Sequence, residues 1–127
     1  MIESREVPVR IGMETVGIDR DIVNIVKAMN NCPGIRTTES CQGHGERTVQ
    51  IWFIPETSAS LPPLLYYFDR CHSGVTWPVT IYTDCCADHV TYMVESKNVG
   101  PIAYMEGNKI AEAMKDYDTW DLEDDDD

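Results

Sequence analysis

Apolar and polar positions recur along this chain with periods that change at glycine, proline and polar clusters. Val7–Met13 alternates weakly and predicts a first strand. Ile22, Ile25, Val26 and Met29 then fall at i, i+3, i+4 and i+7 within Arg20–Met29, the stripe of an amphipathic helix. Asp19 is its expected N-cap, and Cys32-Pro33-Gly34 stops it. Ile35–Cys41 reads as a strand, although Arg36-Thr37-Thr38-Glu39-Ser40 is polar on both faces. Gln42-Gly43-His44-Gly45-Glu46 is a turn. Thr48–Ile54 sets Val49, Ile51 and Phe53 against Gln50 and Trp52, completing a hairpin.

The same unit then recurs. Ser60 caps a helix with Pro62 in its first turn and Leu61, Leu64, Leu65, Phe68 and Cys71 on its apolar face. His72-Ser73-Gly74 ends it. Thr76–Thr83 places Trp77, Val79 and Ile81 on one face, and Val90, Tyr92 and Val94 form another alternating run. Asn108 opens a last helix carrying Ile110, Ala113, Met114 and Tyr117. The order β-α-β-β-α-β-β-α predicts an α+β fold, an antiparallel sheet with helices packed on one face and two related α-β-β units. No linker interrupts residues 1–117, which are expected to form a single domain, with 118–127 as a disordered acidic tail.

Composition narrows the class. The chain has 127 residues, 43% of them hydrophobic, which suits one core. Ten Lys plus Arg against 22 Asp plus Glu give a net charge of −12, which excludes a DNA-coating role. No apolar run reaches transmembrane length and no signal peptide opens the sequence. A cytoplasmic protein without a membrane role is expected. Closed homodimers are the commonest assemblies, so a symmetric dimer is carried as an expectation.

Five cysteines, Cys32, Cys41, Cys71, Cys85 and Cys86, argue against a disulfide framework and for buried free thiols. The alternative is a tetrahedral zinc site from the matched pairs Cys41-x-x-His44 and Cys86-x-x-His89. A P-loop and a dinucleotide-binding glycine motif are both missing. His44-Gly45-Glu46 matches only half of a zinc-deaminase signature. Cys41 and His44 suggest a thiolate–imidazole pair, but neighbours on one turn need not face each other. Asp84 and Asp88 read as solvated loop charges.

Candidate chemistry concentrates in Thr37-Thr38-Glu39-Ser40-Cys41-Gln42-Gly43-His44-Gly45, polar where a core strand wants alternation. Thr37, Thr38 and Ser40 offer donors and acceptors for a ribose or base. The glycines, Gly43 among them, admit a ligand to the backbone, and successive free amides form an anion nest. Arg36 and Arg47 flank the turn and suit a phosphate. Trp52 and Trp77, on a shared open face, would stack on a base. The competing account has the hydroxyls bonding within the hairpin and both tryptophans filling the core.

Thr37-Thr38-Glu39-Ser40-Cys41-Gln42-Gly43-His44 resembles the TTSSCSGR signature of the wybutosine-synthesis methyltransferases, the third enzymes of that tRNA-modification pathway. Glu39 and His44 stand where that signature has serine and arginine. Thr76-Trp77-Pro78-Val79-Thr80-Ile81-Tyr82 resembles the family's tryptophan-led strand. The resemblance implies a related fold and a pocket for S-adenosylmethionine. The longer string from Pro33 to Gly45 also resembles small proteins of bacteria and their phages.

Three readings follow. The favoured one is a binding protein that holds a nucleotide-like small ligand without turnover. If phage-encoded, it would act in the host cytoplasm and sequester a nucleotide immune signal. Its expected ligand residues are Arg36, Thr37, Thr38, Ser40, Cys41, Gly43, His44, Arg47, Trp52 and Trp77. The second is a reduced S-adenosylmethionine-dependent RNA methyltransferase. The third is an interaction module acting through its acidic surface.

Overall fold

A computed structural model describes residues 6–69, 74–82 and 90–125, with side chains as far as Lys115. Strands β1 (Glu6–Ile11) and β2 (Glu14–Asp19) form an antiparallel hairpin, and a single 3-10 turn leads from β2 into α1 (Val23–Asn31). Strands β3 (Ile35–Cys41) and β4 (Thr48–Pro55) follow, then the short helix α2 (Leu61–Tyr67). Strands β5 (Val79–Tyr82) and β6 (Thr91–Val99) complete the second sheet, and α3 (Pro101–Asp125) ends the chain. The expected α+β class is therefore observed.

The larger sheet is antiparallel in the order β3-β4-β6-β5. Exchanging the two hairpins leaves that order unchanged, so the sheet is symmetric in connectivity about its β4–β6 seam. Alternation sets its faces. Val49, Ile51 and Phe53 of β4 and Val94 of β6 are fully buried. They meet Ile25, Val26 and Met29 of α1 and Ile110 of α3 in a single cluster. Trp52, Met93, Thr80 and Tyr82 share the opposite face by register. There Trp52 meets Tyr82 edge-on, with ring centroids 6.1 Å apart.

Several expectations need correction. The chain has a strand β2 that the weak alternation of Glu14–Asp19 did not announce. Its two-residue turn places Gly12 at φ +62°, as the first central position of a type II′ turn requires. Asp19 makes no side-chain cap, because a 3-10 turn over Arg20–Ile22 separates it from α1. Ser60 does not cap α2 either; its hydroxyl pairs with Thr57. Helix α3 opens at Pro101, not Asn108, with the pre-set φ that suits proline at a first helical position. Its backbone is helical through Asp125.

The hairpin β1–β2 buries Val9 and Ile18 in the same core and packs against α1. It runs alongside β3 without pairing to it, and a cleft opens between the two. Among the described residues no helix is long and apolar enough to cross a membrane.

Candidate functional site

The polar string over β3 is divided by the fold. Thr37 is buried, and Asn30 of α1 bonds to it twice. The Asn30 amide donates to the Thr37 hydroxyl at 2.8 Å, and the Thr37 backbone N–H donates to the Asn30 side-chain oxygen at 3.0 Å. A β-bulge follows between Thr37 and Glu39, which leaves Thr38 exposed. Thr37, Thr38, Glu39 and Ser40 line a slot of about 200 Å³ whose other wall is Val16–Ile18 of β2.

The turn after β3 is occupied by its own contacts. The Glu46 and Arg47 amides both donate to the Gly43 carbonyl, at 3.1 and 3.0 Å. One amide of the turn expected to form the anion nest, that of Glu46, is thus taken. The Tyr104 hydroxyl of α3 donates to the Gln42 carbonyl at 3.2 Å and to the Gln42 side-chain oxygen. Burial raises the Tyr104 phenol above its ordinary value, with Asp21 and Asp19 adding to the rise and the Gly45 amide opposing it. Gly43 has φ +83°, and a Cβ there would lie 2.8 Å from the Thr48 carbonyl oxygen. Gly43 therefore serves the closure of the hairpin. His44 is exposed at φ 55°.

Arg36 and Arg47 do not converge. Arg36 stands opposite Ile54 near the start of β3, whereas Arg47 follows the turn beyond Cys41. Five residues of strand from Arg36 to Cys41 span about 17 Å, too far for one phosphate. Trp52 and Trp77 do not share a face. Trp77 is 1% exposed and stacks on Phe68, and its indole N–H donates to Glu106 at 3.2 Å. A ligand cannot reach its ring. Trp52 lies half-buried on the opposite sheet face, and its indole nitrogen has no hydrogen-bond partner among the described residues.

Of the zinc candidates, Cys41 is half-buried and His44 exposed, whereas Cys86 and His89 lie outside the described residues. So do Cys71, Asp84, Cys85 and Asp88. No hydrogen bond joins Cys41 to His44 among the described residues. No three His, Cys, Asp or Glu side chains among them come together around a metal-sized position. Cys32 is buried, and its thiol donates to the Ala28 carbonyl.

Arg36 instead faces a larger cleft. Between the tip of the β1–β2 hairpin, the end of α1 and the start of β3 lies a cavity of about 550 Å³. Arg10, Lys27 and Arg36 line it, and Glu56 is the one acid among its lining residues. None of these three cations forms an ion pair among the described residues. Helix α1 ends here, and a helix C-terminus repels anions through about half a negative charge. That end is capped, however. The Cys32 Sγ donates to the Ala28 carbonyl, and the Cys32 N–H donates to Met29. Three cations and one carboxylate therefore set the sign of the cleft.

Neither a family model, nor a curated protein, nor a solved structure matches this chain. The site is defined by its own geometry. That geometry keeps Arg36, Thr38 and Ser40 beside clefts and adds Arg10 and Lys27. No local pattern marks the two additions. They belong to different elements, 17 residues apart in the chain, and only the seating of the hairpin on α1 brings them together.

Proposed function

We propose that this protein binds a small nucleotide-like anion, with the phosphate in the cleft lined by Arg10, Lys27 and Arg36. One observation carries the reading: three cations without carboxylate partners among the described residues line one cavity of a chain whose net charge is −12. Charges that serve only solubility spread over a surface and gain little from proximity. Three like charges around one concavity repel one another, and an anion relieves that repulsion. The two guanidiniums suit paired phosphate oxygens, and the ammonium supplies a point charge. The volume falls within the range of small-molecule sites, about 300–1,000 Å³.

The test is calorimetric titration of inorganic tripolyphosphate into the full chain. Wild type is expected to bind, more weakly as salt rises. Arg10→Ala and Arg36→Ala should each weaken binding by about tenfold or more, the worth of a charge-assisted hydrogen bond. Arg47→Ala, at the far end of β3, should match wild type. Equal affinity in wild type and Arg36→Ala would remove the assignment.

A further inference from the structure

A second cavity, of about 440 Å³, lies between α1 and α3. Lys27, Asn31 and Cys32 line both this groove and the cation cleft, so the two adjoin along the last turn of α1. Their chemistry differs. Part of the groove's lining is small or apolar, with Ala28, Cys32, Ala111 and Met114 among polar and charged side chains. Two alanines at this helix–helix contact leave room that longer side chains would fill. Carboxamides of Asn24 and Asn108 also line it and bond to each other at 3.1 Å. Each carboxamide carries both donors and acceptors. Of the groove's charges, Lys115 and Glu112 neutralise each other across 2.9 Å, leaving Lys27 as the cation without an ion-pair partner among the described residues.

The groove's uncompensated cation, Lys27, lies at the end shared with the cleft, and a partly apolar groove lined by carboxamides does not suit a second phosphate. It suits a flat heterocycle, whose faces are apolar and whose edge carries donors and acceptors. We infer that the α1–α3 groove is the base subsite of a two-part nucleotide site, with Lys27 at the junction between base and phosphate. This inference rests on the phosphate reading of the adjoining cleft. It selects a ligand with a heterocyclic base joined to an anionic arm, over a bare polyanion.

The experiment compares inorganic tripolyphosphate with ATP, GTP and a cyclic dinucleotide, by calorimetry on the full chain. At least one nucleotide should bind wild type about tenfold or more tightly than tripolyphosphate. Ala111→Met puts a longer side chain into the groove. It should erase that advantage while leaving tripolyphosphate affinity unchanged, which also shows that the variant is folded. Ala28→Met makes the same test from the other helix. In wild type, tripolyphosphate should shift the backbone amide resonances of Gly12 and Arg36, and the tighter nucleotide should add shifts at Ala28 and Ala111. If tripolyphosphate binds and every nucleotide binds no better, the base subsite is overturned and the phosphate cleft stands. The same holds if nucleotide affinity survives both alanine variants with the fold intact. If neither tripolyphosphate nor any nucleotide binds, the phosphate reading falls and the base subsite with it.

Discussion

Asn30 and Thr37 exchange two hydrogen bonds, and a third from Asn30 goes to the Val26 carbonyl. A threonine in a polar strand suits a ribose equally well, so its residue type alone could not assign it. The distinction is one of burial: with Thr37 7% exposed, its hydroxyl accepting from Asn30 and its N–H donating back, the side chain belongs to the seam between α1 and β3. Thr37→Val keeps the shape and removes the hydroxyl, leaving one Asn30 donor without this partner. Stability should fall by about 1 kcal/mol, within the usual range for one hydrogen bond, and urea denaturation measures it. Tripolyphosphate affinity should stay at the wild-type value. A variant of unchanged stability and lost affinity would return Thr37 to the ligand. Trp77 makes the same point in aromatic form. Its core role was one of two accounts open to the sequence, and only the distance to Phe68 and Glu106 decides between them.

At the scale of elements, strong periodicity was legible and weak periodicity was not. The stripe Ile22, Ile25, Val26, Met29 and the alternation Val49, Ile51, Phe53 face the core as their spacing predicts. Strand β2 has one buried residue, Ile18, so its sequence carries almost no alternation to read. The first turns of α3 escaped notice for another reason. Ile102 and Met105 are exposed and Gly107 interrupts the pattern, so the apolar stripe becomes regular only from Ile110. Gly107 is there for packing. A Cβ on it would lie 3.1 Å from the Trp77 ring and 3.5 Å from Ile25. Gly107→Ala therefore sets two effects against each other. Helix propensity favours alanine by about 1 kcal/mol. Overpacking costs about 1–3 kcal/mol, and Trp77 has little freedom to retreat, being stacked on Phe68 and bonded to Glu106. The net effect should be a destabilisation of about 1 kcal/mol, visible as a lower melting temperature. A higher one would mean that Trp77 yields more easily than its contacts imply.

Across the whole molecule, the cation cleft exists against an opposing field. Residues 118–127 carry seven acids and no base, more than half of the net charge of −12. The candidate ligand is an anion, so the summed field slows its approach while the cleft attracts it at short range. These terms respond differently to salt. At about 0.15 M the Debye length is about 8 Å, and at about 1 M it shrinks to about 3 Å. The like charges of residues 118–127 also repel one another, so removing them should cost the fold nothing. Deleting 118–127 should therefore leave the melting temperature unchanged or higher. It should strengthen tripolyphosphate binding severalfold at low salt, chiefly through faster association, and the gain should vanish near 1 M salt. Stopped-flow association rates measured across a salt series check this. The same deletion separates the ligand-binding reading from the interaction-module reading. If the acidic segment were the working part of the protein, its loss would abolish partner capture. If the cleft is the working part, the shortened chain binds its anion better than the full one.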